Sequence, residues 1–202
     1  GCSSRSSGYL DFNTANTLHG RALPIATGVK MGNPKLNVIV CSGDGDCTAI
    51  GGNHLIHAAR RNIDLTLVVY NNSIYGMTGG QMAPTTLEGM KTATCPYGRN
   101  TDIYGFPLKI SLLLKEIDGT CYITGQSVYK TANIIRAKKA IRKAFQNSID
   151  GKGTSVVEFV SHCNSGWKMS PVQANAWMEE HMFAKYPLGD IKDTEKAHYE
   201  EK

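Results

Sequence analysis

No apolar run in this 202-residue chain approaches the roughly 20 residues that a membrane-spanning helix needs, so no membrane span is expected. Nothing at the N-terminus has the pattern of a signal peptide. No C-x-x-C pair occurs among the six cysteines, at positions 2, 41, 47, 95, 121 and 163. With Cys41 and Cys121 inside strand-like runs, spacing this wide argues against a secreted disulfide framework and for a reducing cytoplasm. Methionine does not stand first; the chain opens Gly1-Cys2, as a processed or truncated piece would. Charged residues are sparse at 19%, against 41% hydrophobic residues. That balance describes a soluble globular protein, long enough for one domain with a substantial core.

The net charge of +5 is spread out except at Arg136, Lys138, Lys139, Arg142 and Lys143. These lie in "TANIIRAKKAIRKAFQNSI", where Ile134, Ile135, Ala137, Ile141, Ala144 and Phe145 recur at helical spacing. An amphipathic helix with a solvated basic face accounts for the pattern, and a docking surface for an acidic protein or nucleic acid is the alternative. Around that helix the chain alternates. "KLNVIVCS", "IDLTLVVYNN", "CYITGQSVY" and "TSVVEFVS" are short apolar runs ending in turn residues, and they read as buried strands; "CTAIGGNHLIHAARR" and residues 131–149 read as helices. Strands alternating with helices predict an α/β fold with a mostly parallel sheet and helices on both faces.

Two loops break this pattern, and both fall at strand ends, where open parallel sheets bind ligands. In "CSGDGDCTAIGGNH", Gly43 and Gly45 allow a tight turn and close approach of the backbone to a ligand, while Asp44 offers a hard carboxylate oxygen. The N–H groups that open the following helix suit a phosphate. In "YNNSIYGMTGGQ", Asn72 adds a neutral oxygen, and the backbone carbonyl near Ile74 a third. Two or three such oxygens, completed by phosphate and water, make a magnesium site.

Gly43-Asp44-Gly45 followed by Asn71-Asn72 resembles the motif of thiamine-diphosphate enzymes. The wider segments "TLHGRALPIATGVKMGNP", "GDGDCTAIGGNHLIHAARRNIDLTLVVYNNSIYGMTGGQMAPTT" and "WKMSPVQANAW…YPLGDIKD" are similar to the beta subunit of 2-oxoacid:ferredoxin oxidoreductases, most nearly the 2-oxoglutarate branch and next the 2-ketoisovalerate branch. The likeness is weakest over residues 99–126. It implies a single thiamine-diphosphate-binding domain over residues 1–202, with residues 160–202 as a C-terminal extension packed on it. It implies magnesium on Asp44, Asn72 and the Ile74 carbonyl. Gly43, Gly45, Asp46, Gly76, Met77 and Thr78 then fall in loops around the cofactor, with His19, Ser3 and Ser4 nearby. Cys2 and Cys163 fall at two of the four thiolates that hold a [4Fe–4S] cluster, and the other two belong to an upstream C-x-x-C segment. Arg5 falls where a guanidinium can pair with the distal carboxylate of a dicarboxylic substrate. The implied activity is oxidative decarboxylation of a 2-oxoacid, with electrons passing to ferredoxin and the acyl group to coenzyme A. The implied partner is an alpha subunit, with no nucleic acid and no membrane. An activating glutamate is missing from the motif region, since Glu88 in "TTLEGMK" matches poorly, and the likeness assigns that group to the alpha subunit.

Other readings of the same residues stay open. Asp44 and Asp46 also suit helix N-caps. His54 and His57 share a helix face but have no third ligand at usable spacing, which favours packing or surface roles. Cys41 and Cys47 serve equally as small buried hydrophobes. Two further classes compete with the oxidoreductase: a non-oxidative thiamine enzyme without cluster cysteines, and a basic binding module without activity of its own.

Overall fold

Four of the strand-like runs become the neighbouring parallel strands of one sheet in a computed structural model that describes residues 2–194. They are β1 (Ile39–Gly43), β2 (Thr66–Asn71), β5 (Thr120–Gln126) and β6 (Thr154–Val160). Strand order is β1-β2-β6-β5-β7, and all pairs are parallel except β5 with β7 (Gly189–Asp193), which is antiparallel. A separate two-stranded piece joins β3 (Ile74–Tyr75) to β4 (Gln81–Met82). Strand β7 has no hydrophobic signature. Its sequence GDIKD is held by polar contacts, among them the Tyr122 hydroxyl donating to Asp190 Oδ1 at 2.7 Å. The expected C-terminal extension therefore supplies a strand of the main sheet; its residues 195–202 lie outside the described residues.

Helices cover both faces, as the alternation predicts. One face carries α1 (Ala22–Gly32), α2 (Gly52–Arg60) and α4 (Ile110–Lys115), whose Leu23, Leu55 and Leu114 pack with Val40, Leu67, Val69 and Val156 of the strands. The other carries α5 (Thr131–Ile149), with Ala137 and Ala144 against Val68, Val157 and Phe159. The α5 boundaries match the sequence reading, but its inner stripe does not. Asn133, Ala137, Ala140, Ala144 and Asn147 are buried, whereas Ile134 and Ile135 are exposed. The small stripe follows the helical period and lets the helix lie close on the sheet; Ile134 falls one position off it and Ile135 two, on the opposite side of the helix. The expected second helix also differs. It opens with a π turn at Asp46–Ile50 before α2 begins.

A third cluster lies beyond the carboxyl ends of the strands. It joins Ile74, Leu87 and Met90 to Trp167, Ala174, Met178, Met182 and Tyr186, drawn partly from α6 (Asn164–Trp167) and α7 (Pro171–Trp177). Helix α7 starts with a capping box, Ser170 with Gln173, and a proline at its first turn. One further short helix, α3 (Thr101–Tyr104), interrupts the long connection between β4 and α4. Among the described residues no helix is long and apolar enough to cross a membrane. Because β1, β2 and β6 are neighbours, the loops at residues 43–46, 71–76 and 161–165 gather at one edge.

Candidate functional site

Asp44 leaves β1 and enters the helical stretch before α2, with only 2% of its surface exposed. Its Oδ2 accepts a hydrogen bond from the Thr85 hydroxyl. Backbone N–H groups of Asp44, Gly45 and Asn72 also favour its charged form. Burial outweighs them and pushes its carboxyl up to about 7. Among the described residues no lysine, arginine or histidine forms an ion pair with it. A buried carboxylate with donors but no cation fits a metal ion, which would supply the missing positive charge.

Asp46 is different. It is spent on the protein, accepting from the backbone N–H of Gly20 and from Ser42 Oγ at 2.6 Å, and it sits 3.0 Å from His19 Nδ1. Through this contact His19, whose side chain is 42% exposed, is held at the edge of the site, its ring tilted against Tyr75. The Tyr75 hydroxyl donates to the Gly45 carbonyl at 3.2 Å, and a β-carbon on Gly45 would lie 2.4 Å from the Tyr75 ring. Only glycine fits there.

The paired asparagines face opposite ways, as consecutive residues at a strand end must. Asn71 turns inward, donating to Glu158 Oε1 at 2.7 Å and accepting from the Ser73 N–H at 3.2 Å. Asn72 lies half-buried at the site; its Oδ1 accepts from the Ile74 N–H at 3.1 Å, and its carbonyl accepts from Trp167 Nε1 at 3.1 Å. Asp44 and Asn72 are thus brought together at the carboxyl ends of neighbouring strands, with Ile74 two residues on.

Cys2, Ser3, Ser4 and Arg5 share a short 3-10 helix, Cys2–Gly8, tied down by Ser6 Oγ against the Tyr70 hydroxyl at 3.3 Å. A β-carbon on Gly76 would lie 3.0 Å from Cys163 Sγ and 3.3 Å from Cys2 Sγ. The two sulfurs are therefore no further apart than those lengths laid end to end, well inside the span of one cluster's ligands. The described residues offer no group of three or more His, Cys, Asp or Glu side chains suited to a metal ion. Two thiolates fit part of a four-thiolate cluster site. Beside them a cleft of about 430 Å³ is lined by Ser4, Arg5, Ser7, Gly8, Asn16 and Met77. The Thr78 hydroxyl donates to Gln81 Oε1 at 2.8 Å, and Gly43 ends β1 opposite Tyr70.

The residues whose sequence reading favoured or allowed other roles have local partners of their own or lie exposed. His57 accepts from Arg60 Nε at 3.4 Å on α2, and Glu88 is exposed. Cys41 is half-buried, and Cys47 is buried with its thiol towards the Asp44 carbonyl at 3.7 Å. Sequence reasoning passed over Thr85, Tyr75, Glu158, Trp167, Tyr186 and Arg99. None carries a local signal, because each reaches the site through a contact distant in sequence.

The profile of the family described as "Thiamine pyrophosphate enzyme, C-terminal TPP binding domain" matches residues 1–159. The chain is 50% identical over 180 residues to the 2-oxoglutarate synthase subunit KorB of Archaeoglobus fulgidus, covering 89% of this chain and 63% of that protein. It is 37% identical to the KorB subunit of Methanocaldococcus jannaschii, covering 100% of this chain and 77% of that protein. It is also 37% identical to the ketoisovalerate oxidoreductase subunit VorA of Methanothermobacter thermautotrophicus, covering 96% of this chain and 40% of that protein. Among solved structures, a 2-oxoglutarate:ferredoxin oxidoreductase from Magnetococcus marinus, with 2-oxoglutarate, coenzyme A and succinyl-CoA bound, superposes with a TM-score of 0.76 at 30% identity, covering 96% of this chain and 69% of that one. The chain spans about 60% of the length of several of the curated relatives it matches.

Proposed function

We propose, from the premise that this chain belongs to the thiamine pyrophosphate enzymes and among them to the relatives of the 2-oxoglutarate synthase KorB subunits, that it is the beta subunit of a cytoplasmic 2-oxoacid:ferredoxin oxidoreductase acting on 2-oxoglutarate. Residues 1–202 form its thiamine-diphosphate-binding domain, with residues 160–202 as the C-terminal extension. Asp44, Asn72 and the Ile74 carbonyl would hold Mg2+, which would supply the positive charge that a diphosphate needs at this site. Gly43, Gly45, Gly76, Met77 and Thr78 line the cofactor's bed, and Asp46 holds His19 beside it. Bound thiamine diphosphate supplies a nucleophilic carbon that takes up the 2-oxoacid and the electrons left when carbon dioxide departs.

The chain's own residues bind and orient. Arg5, on the wall of the 430 Å³ cleft, pairs with the distal carboxylate of the substrate. Ser3 and Ser4 accompany it on the same short helix. Cys2 and Cys163 would provide two thiolates of a [4Fe–4S] cluster, which would supply one-electron chemistry between this site and ferredoxin; coenzyme A is the acyl acceptor, and an alpha subunit contributes the activating carboxylate.

The observation carrying this reading over a non-oxidative thiamine enzyme is the meeting of Cys2 and Cys163 at Gly76, beside the metal clamp. The full-length protein, purified with the subunits that accompany it, should contain iron and reduce ferredoxin with 2-oxoglutarate and coenzyme A. Arg5→Leu should raise KM for 2-oxoglutarate far more than for a branched-chain 2-oxoacid. Preference of the wild type for the branched-chain acid, which the ketoisovalerate relatives make the second reading, would replace the substrate. Decarboxylation without iron or ferredoxin would sink the assignment.

A further inference from the structure

Between β4 and α4 the chain has little regular structure, yet it is tightly held. Arg99 is 4% exposed and makes no ion pair with any carboxylate among the described residues. Its guanidinium instead donates to six backbone carbonyls. Nη1 reaches Ala83 at 3.2 Å, Pro84 at 2.9 Å and Thr86 at 2.8 Å; Nη2 reaches Tyr104 at 3.2 Å and Phe106 at 3.0 Å; Nε reaches Gly105 at 2.9 Å. One side chain thus closes two separate backbone turns onto each other. A fork of five N–H donors can do this with one Nη1 hydrogen shared between two carbonyls, and an ammonium group with three cannot.

The turn at residues 83–86 is pinned at every carbonyl. Arg99 takes those of Ala83, Pro84 and Thr86, and the buried Tyr186 hydroxyl donates to that of Thr85. The Thr86 hydroxyl closes the turn, accepting from the Ala83 N–H at 2.8 Å and donating to the Ser73 carbonyl at 2.5 Å. In the middle sits Thr85, fully buried, with its hydroxyl on Asp44 Oδ2. The turn is buried, with Ala83 at 1% and Thr85 and Thr86 at 0% exposure, so its carbonyls cannot turn to water and need the donors that Arg99 and Tyr186 supply. What the arrangement achieves is a Thr85 that cannot move relative to Asp44.

We propose that Arg99 is a positioning residue for the metal clamp, fixing the 83–86 turn so that the Thr85 hydroxyl holds the Asp44 carboxylate in the rotamer that receives the cation. This rests on Asp44 being a metal ligand. Partners that orient a metal ligand typically contribute about 10- to 100-fold in metal affinity, and both Arg99 and Thr85 act at that level without touching the metal.

The test titrates MgCl2 into the full-length protein, in its purified assembly and with thiamine diphosphate in fixed excess in cell and syringe, by calorimetry. Thr85→Val should weaken Mg2+ binding about tenfold, and Thr85→Ser, which keeps the hydroxyl, should restore it. Arg99→Met should weaken it by a similar factor. The double variant should bind no worse than the weaker single one, because both remove the same link. A purely structural Arg99 would leave Mg2+ affinity unchanged in the folded variant or give multiplicative losses in the double variant, and either result overturns the proposal. If Arg99→Met does not fold, Arg99→Lys and Tyr186→Phe carry the same measurement, and unchanged Mg2+ affinity in both overturns it. Asp44→Ala separates the two levels. If it binds Mg2+ as the wild type does, the ligand assignment fails and the proposal with it. If it loses binding while Thr85→Val does not, the proposal alone fails.

Discussion

Two buried carboxylates at the strand ends differ in what surrounds them. Glu158 accepts from Asn71 Nδ2 and from the Ser111 hydroxyl and N–H, whereas Asp44 accepts from the Thr85 hydroxyl and from backbone N–H groups at the loop, and neither forms an ion pair among the described residues. Burial raises both carboxyls, Asp44 from an ordinary 3.8 to about 7. A carboxyl whose folded value exceeds its unfolded one binds a proton on folding. Its contribution favours the metal-free fold at low pH and is lost as pH rises from about 4 towards about 7, at up to about 1.4 kcal/mol per pH unit. Denaturant unfolding of metal-free wild type and Asp44→Asn across that range should show the variant's relative stability growing with pH; parallel curves would mean that Asp44 titrates normally. Added Mg2+ should reverse the wild-type trend above pH 7 by binding the folded state. For Glu158, a change to Gln replaces one acceptor oxygen by a donor that faces other donors. It should cost about 1–3 kcal/mol, read as a lower urea midpoint at unchanged slope.

At the level of elements, four strands and α5 were legible because apolar runs bounded by turn residues, and a helical period, are written in local sequence. Asp44 and Asn72 were legible for the same reason, standing next to those runs. β7 was not, since GDIKD is a strand only because the open edge of β5 accepts it. Thr85, Tyr186 and Arg99 were hidden because their meaning is tertiary: Thr85 and Asp44 are 41 positions apart, and Tyr186 reaches Thr85 across 101. The inner stripe of α5 was misjudged because residue size was read as depth. Close approach of helix to sheet selects alanine there, so Ala144→Leu should overpack the interface and cost about 1–3 kcal/mol. Ile135→Lys, on the exposed side, should leave the thermal midpoint of the isolated chain within a degree or so of the wild type. A large loss for Ile135→Lys would place that residue in the core after all.

At the level of the whole molecule, residues far apart in the chain converge on one edge of the sheet, and the segment from 160 onward is part of that convergence. It brings Cys163 to Gly76, Trp167 to the Asn72 carbonyl and Tyr186 to Thr85. Asp44→Ala should therefore abolish magnesium-dependent thiamine diphosphate binding while the circular dichroism spectrum stays that of the wild type; retained affinity would refute the clamp. The strand order has a further consequence for how the protein is made. β5 has only β6 and β7 as neighbours, and both lie after it in the chain. As the polypeptide leaves the ribosome, β1 and β2 can pair at once, but β5 waits without a partner until β6 emerges, and its other edge stays bare until residue 193 is out. Synthesis at about 5–20 residues per second makes that wait seconds long. A chain ending at residue 187 should accordingly collect in the insoluble fraction through its naked β5 edge, and its solubility would show that the newborn sheet is protected by something other than β7.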